Sequence, residues 1–326
     1  MASSSSPPTL PLLLVLCMAT AFTIRARPDH MAIYWGWHIN NLRGSALKAT
    51  CETHHFSQVN IAFLSNFGNG RPPRPDFGTS CDAQTGGCKS LQDDIAACQR
   101  LGVKVLLSIG GFDVKNYTLA SAEEAHQLAS HIYDVYLSGY GIDGPLGKVK
   151  LDGVDFYVND ASTYDYWDVL AQDLKQLDSN MILTASQGCN HTTGKADMPL
   201  YHALKTGLFS KVWPRYYGHP CTYQPSDTAA FAASVNSWAT EFSGMDFYLG
   251  LIANPLYFEE GWISPLELPG ALTIARQHSN YDGVMLWNRH WDVKFFEEDG
   301  NSAPYSDLIY PIVKTSSNIR MPVSAF

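Results

Sequence analysis

The sequence predicts an α/β chain folded as a single-domain (β/α)8 TIM barrel, and three observations carry that prediction. Short runs rich in β-branched and aromatic residues occur eight times along the chain. Stretches of helical period, apolar on one face, lie between them. No linker or repeat divides the chain, and no glycine-rich phosphate loop follows the first run, which sets an open doubly wound sheet aside. Eight strands alternating with helices over about 300 residues is the arithmetic of a closed barrel.

In chain order, the opening MASSSSPPTLPLLLVLCMATAF holds an apolar run from Leu10 to Phe22, with small residues at Ala19 and Ala21. It reads as a secretory leader over residues 1–26, cleaved near Ala21 or Ala26, and is too short for a permanent membrane span. The strands follow: MAIYWG from Met31, QVNIAFL from Gln58, VKVLLSI from Val103, LDGVDFYV from Leu151, MILTAS from Met181, KVWPRYY from Lys211, FYLGLI from Phe247 and GVMLWN from Gly283. Several are apolar on both faces, as a parallel sheet covered by helices requires. Among the helical stretches, SAEEAHQLASHIYDVYLSG opens with a capping box at Ser121 and Glu124 and carries an apolar residue at every third or fourth position. ASTYDYWDVLAQDLKQLD, DTAAFAASVNSWATEF and PLELPGALTIARQHS behave alike. The barrel is expected over 27–313 and a flexible tail over 314–326.

Composition narrows the function. With 45% hydrophobic and 16% charged residues the chain is globular, and its net charge of −9, without any Lys/Arg run, argues against nucleic acid or an anionic membrane as partner. Beyond the leader's Cys17 remain Cys51, Cys81, Cys88, Cys98, Cys189 and Cys221, an even number in an exported chain, which reads as disulfides of open connectivity. The short loop between Cys81 and Cys88 favours that one pairing. No CxxC or HExxH spacing occurs, so neither a metal nor a cofactor is expected. Two glycan acceptor sequons stand at Asn116-Tyr117-Thr118 and Asn190-His191-Thr192. A monomer is expected.

Chemistry in such barrels gathers at the C-terminal strand ends. There the fourth predicted strand and its continuation read LDGVDFYVND, with Asp155, Tyr157 and Asn159 on one face. KVWPRYYGH puts Trp213, Arg215 and Tyr217 on one face of the sixth.

The fourth run resembles the DGxDxDxE motif of glycoside hydrolase family 18, the chitinase family. Asp152, Gly153 and Asp155 match; Tyr157 stands at the inner Asp and Asn159 at the terminal Glu. YWG at 34–36, VNIAFLSNFGNG at 59–70, LLSIGG at 106–111, LTASQGC at 183–189 and GVMLW at 283–287 resemble plant class III chitinases in the same order. The resemblance implies disulfides Cys51–Cys98, Cys81–Cys88 and Cys189–Cys221. It also implies substrate-facing positions at Tyr34, Trp37, Arg215, Tyr217 and Trp287, where Trp37 and Arg215 replace the glutamines of active members. Cleavage in that family is substrate-assisted: Glu protonates the leaving oxygen while Asp orients the N-acetyl group. Asn159 has no acidic proton, and Tyr157 is neutral near pH 7. A general acid is worth about 10²–10⁴-fold, so catalysis is expected to be lost. Asp160 points to the other face unless a bulge re-aims it. Asp152 and Asp155 read as structural hydrogen-bonders, with Arg215 the expected partner of Asp155.

V-x-x-R-x-Y at Arg215, MLWNRHWD and LKTGLFSKV resemble the cereal chitinase-like xylanase inhibitor proteins of the same family. That branch implies a defence protein whose partner is a microbial xylanase, in the apoplast or vacuole. Its basic contacts do not carry over: LDSNM has none, and ANPLYFEEGW is acidic at Glu259 and Glu260. The alternatives are a lectin or storage protein binding a chitin-like oligosaccharide and, behind these, a residual glycosidase.

Overall fold

The computed structural model describes residues 30–37, 45–159, 165–190, 198–257, 260–297 and 300–315. The expected leader, Asp160, Glu259 and the tail beyond Thr315 lie outside them. In chain order the elements are β1 (His30–Trp35), α1 (Leu47–Glu52), β2 (Gln58–Gly68), β3 (Arg71–Pro75), α2 (Leu91–Arg100), β4 (Lys104–Gly110), α3 (Ala122–Ile132), β5 (Gly153–Tyr157), α4 (Trp167–Leu177), β6 (Ile182–Gly188), α5 (Tyr201–Lys205), β7 (Lys211–Arg215), α6 (Ala229–Glu241), β8 (Asp246–Ile252), α7 (Leu268–Ala275), β9 (Tyr281–Trp287), α8 (Arg289–Glu297) and α9 (Tyr305–Lys314).

Eight parallel strands close into a ring. Each pairs with its neighbours in order, and β1 joins both β2 and β9. All eight expected strands are present. The ninth, β3, was not expected: Arg71-Pro72-Pro73-Arg74-Pro75 folds back antiparallel on an extension of β2. Its prolines mask it in the sequence, and they also suit it to a sheet edge, where a missing N–H leaves no ladder bond unmade. Two apolar layers result. The larger lies between strands and helices; the smaller fills the barrel with Tyr34, Phe63, Tyr157, Trp213, Tyr248 and Trp287 among others.

The barrel floor is polar. His30 Nδ1 lies 2.9 Å from Asp282 Oδ2, to which the Tyr248 hydroxyl also donates at 2.5 Å. Lys211 Nζ donates to Gln58 Oε1 at 2.9 Å, and Gln58 Nε2 to Asn60 Oδ1 at 2.8 Å. On the outside, the last helix is anchored by a buried carboxylate. Asp292 accepts from Arg289 Nη1 at 2.6 Å, from Ser306 N at 2.6 Å and from Ser306 Oγ at 2.8 Å. Part of the NRHWD run is therefore architecture.

Three disulfides join Cys51–Cys98, Cys81–Cys88 and Cys189–Cys221, the pairing that the resemblance implies. They tie α1 to α2, close a short loop after β3, and link the end of β6 to the loop after β7.

Only half of the capping box forms. Ser121 Oγ accepts from Glu124 N at 3.2 Å, but the Glu124 carboxylate accepts from Ala120 N at 2.9 Å and Gly70 N at 3.2 Å. That carboxylate thus ties the β2–β3 hairpin to α3. Ser121→Ala is expected to cost about 1 kcal/mol, read as a lower urea midpoint at unchanged slope; no shift would mean that the hydroxyl does not cap α3.

Candidate functional site

Alternation along β5 turns Asp155 and Tyr157 into the barrel, and both are buried. Asp155 Oδ2 accepts from the Tyr34 hydroxyl at 2.6 Å and from Ser108 Oγ at 2.7 Å. Its Oδ1 accepts from Thr184 Oγ1 at 2.8 Å. The donors come from β1, β4 and β6. The Tyr34 oxygen accepts in turn from Trp213 Nε1, on β7, at 3.0 Å. Burial pushes the Asp155 carboxyl up to about 6, against the lowering pull of the three hydroxyls and of the Arg215 charge. Burial, and then the Asp155 charge, raise the Tyr34 phenol well above its usual range and hold it as a donor.

The expected Arg215–Asp155 pair is corrected. The hydrogen bonds that Asp155 accepts all come from hydroxyls, those of Tyr34, Ser108 and Thr184. Arg215 Nη1 donates to Ser186 Oγ at 3.2 Å, and the guanidinium lies 4.5 Å from the centre of the Tyr157 ring. The phenol at position 157 offers a π face, and the cation settles on it. Burial raises the Tyr157 phenol above its usual range, so the ring stays neutral.

Around Tyr157 the mouth is filled by rings. Ring centres of Tyr34, Phe63, Phe112 and Trp287 lie 5.5, 5.0, 5.2 and 5.5 Å from it. Phe112 stands edge-on to Trp287 at 4.8 Å and 82°, while Phe63 stacks on Trp287 at 5.8 Å and 13°. Trp37 completes the rim, 6.1 Å from Phe63 and 6.2 Å from Phe112. The Gly110–Gly111 pair lets Phe112 turn inward. Both residues hold positive φ, and a Cβ on Gly110 would meet the Tyr157 carbonyl at 2.2 Å. Asn159 Nδ2 donates to the Phe112 carbonyl at 3.3 Å, and its backbone N–H to the Tyr117 hydroxyl at 3.1 Å. An amide donates here; a carboxylate in that place would set two acceptors against each other.

The structure gathers Tyr34, Asp155, Tyr157, Trp213, Arg215, Tyr217 and Trp287 at the barrel's centre and mouth, all buried. Asn159 and Trp37 are partly exposed at its edge. Asp152 does not belong with them. It precedes β5, at the opposite end of the strand, and accepts from Lys104 Nζ at 2.8 Å, Gln99 Nε2 at 3.0 Å and Val105 N at 3.0 Å. Sequence reasoning passed over Ser108, Thr184, Phe63 and Phe112. For Phe112 a signal existed: a bulky ring directly after a Gly-Gly pair at the C-terminal end of a barrel strand.

A closed barrel that gathers polar and aromatic side chains at its C-terminal mouth, around a carboxylate on β5, defines a barrel of the glycosidase type. A family model, Glycosyl hydrolases family 18, matches residues 30–213, and the chain belongs to that family. It is 39% identical to an acidic endochitinase of Cucumis sativus over 264 residues, 80% of this chain and 87% of that protein. A chitinase structure from Ipomoea carnea matches with a TM-score of 0.75 at 32% identity, covering 87% of this chain and 99% of that one. A xylanase and alpha-amylase inhibitor protein from Scadoxus multiflorus matches with a TM-score of 0.74 at 28% identity, covering 86% and 97%. One barrel therefore serves proteins named as enzymes and proteins named as inhibitors.

The Asp155 shift has a sign in stability. Because the folded-state carboxyl titrates near 6 rather than 3.8, the fold favours its protonated form. That contribution is complete below pH 3.8 and is lost as pH rises through 6. Asp155→Asn removes the titration, since the hydroxyls around it can also accept from an amide. Wild type minus variant stability is expected to fall by about 2 kcal/mol between pH 4 and pH 7, measured by urea unfolding at each pH. A flat difference would place the folded pKa at its ordinary value.

Proposed function

We propose that this protein is a secreted, catalytically silent member of family 18 that acts by binding, as a defence protein that inhibits microbial xylanases. One observation carries the reading. Phe112 lies edge-on to the indole of Trp287, held by the Asn159 amide, where the family resemblance puts the floor of the sugar site. The same resemblance puts the proton donor at Asn159 and the assisting carboxylate at Tyr157. Among the described residues the mouth thus lacks that acid and that second charge, and packed rings take up its room. An acid is worth about 10²–10⁴-fold, and desolvated, mutually packed rings must be pried apart before a sugar enters.

A filled mouth favours inhibition over sugar binding, because inhibition works through outer loops. The contact chemistry must be this chain's own. In the loop after β8, Leu256 and Leu266 are exposed and Glu260 is acidic, unlike the basic contacts that the inhibitor branch implies.

Incubation with chitin oligosaccharides is expected to release no new reducing ends. Clear hydrolysis that survives Asp160→Ala would sink the reading. Phe112→Ala frees one face of Trp287 and is expected to give saturable quenching of tryptophan fluorescence by those sugars, where the parent gives none. The full chain is expected to slow at least one xylanase in a panel of fungal and bacterial enzymes. No inhibition across the panel, together with saturable sugar binding by the parent, would make it a lectin instead.

A further inference from the structure

The loop between β4 and α3 carries the sequon Asn116-Tyr117-Thr118, and the fold treats its three residues differently. Asn116 is exposed, whereas Tyr117 and Thr118 are buried. The Asn116 side chain donates one hydrogen, from Nδ2 to Asp113 Oδ2 at 3.0 Å. The backbone is pinned to β2 on both sides: Phe67 N donates to the Asn116 carbonyl at 3.1 Å and Thr118 N to the Phe67 carbonyl at 3.2 Å. The Tyr117 hydroxyl donates to the Gly111 carbonyl at 3.0 Å and accepts from Asn159 N at 3.1 Å. The sequon is therefore one wall of the plugged mouth.

We infer that Asn116 carries an N-linked glycan, attached before this loop closes, and that the glycan roofs the cleft beside it. The inference stands apart from the proposed inhibition and needs only passage through an export compartment, where the three disulfides of this chain form. In the transfer, the bond between the sugar's C1 and the diphosphate of a lipid-linked donor breaks. C1 bonds to Asn116 Nδ2, and one amide proton leaves with the diphosphate. The remaining N–H still reaches Asp113, so the folded loop tolerates the linkage. The acceptor signal includes the hydroxyl of the third residue. Thr118 is 9% exposed in the finished fold, so the signal is legible only while the segment is still extended.

The glycan has somewhere to lie. Asn116 lines a cleft of about 610 Å³ between the β2–β3 hairpin and the Cys81–Cys88 loop, with Ser65, Asn66, Arg74 and Gln84 on its other walls. These are hydroxyl, amide and guanidinium groups suited to sugar hydroxyls. Arg74 is exposed there.

The test uses the full chain expressed with its leader in plant cells and recovered from the medium. Deglycosylation by a peptide N-glycosidase in ¹⁸O water, followed by peptide mapping, is expected to convert Asn116 to labelled Asp. Asn116→Gln and Thr118→Val should each remove one glycan mass, and Thr118→Ser should keep it. Unlabelled Asn116 in disulfide-bonded secreted wild type overturns the proposal without recourse to any variant. Folded protein made without glycans should fail as an acceptor in microsomes and succeed once reduced and unfolded; equal acceptance overturns the timing. Arg74 should react several-fold more slowly with an arginine-directed glyoxal in glycosylated than in enzymatically deglycosylated protein, and equal rates overturn the roof.

Discussion

The structure turns on a carboxylate that water does not reach. Asp155 sits on the axis of the barrel, and an ion there would be intolerable without partners. Three hydroxyls from β1, β4 and β6 supply them, and the Trp213 indole on β7 extends the set through Tyr34. Five of the eight barrel strands thus meet at one oxygen-rich point, so each strand's register is fixed by where its hydroxyl or indole must arrive. A one-residue slip of β6 would carry Thr184 to the other face and leave an acceptor bare. Even so, hydrogen bonding does not cancel desolvation, and the carboxyl remains far above its ordinary value. The hub is kept for geometry at some cost in free energy.

From that hub upward the chemistry changes from polar to aromatic. Tyr157 is the hinge of the change, being the next inward residue on β5. A charged residue there would set a second anion beside Asp155. A neutral ring removes the repulsion, and its face takes the Arg215 cation. With a neutral ring at position 157, Phe63, Phe112 and Trp287 pack against it. Asn159 adds the last element, because an amide can donate to the Phe112 carbonyl. Tyr157, Asn159 and the Phe112 ring form one packing solution and are best understood together.

Much of this was legible in the sequence because it rests on period and order. The eight parallel strands announced themselves by β-branched runs, and the inward face of β5 followed from alternation. The β3 strand was hidden because its prolines are read as breakers, although a hairpin edge is where they do no harm. Asp152 looked like part of the site because a motif is linear, whereas a strand has two ends; only Gly153 and Val154 separate Asp152 at the strand's start from Asp155 in the barrel's interior. The Arg215 partner was misjudged for a different reason. Charge pairing can be guessed from residue types, but the prior claim of Tyr34, Ser108 and Thr184 on the same carboxylate depends on three strands distant in the chain.

If Asp155 does no chemistry, its presence still has a physical reason, which follows from the asymmetry between making and breaking buried hydrogen bonds. Replacing it with an apolar side chain would strand the hydroxyls of Tyr34, Ser108 and Thr184 in the barrel's interior, each at about 1–3 kcal/mol. To dispense with it cheaply, four positions on four strands would have to change at once. Tyr157 and Asn159 stand under no such constraint. Tyr157 meets its neighbours mainly ring to ring, and Asn159 sits partly exposed at the edge of the mouth, so a change at either strands fewer buried hydroxyls than a change at Asp155. Of positions 155, 157 and 159, Asp155 is therefore the costliest to replace.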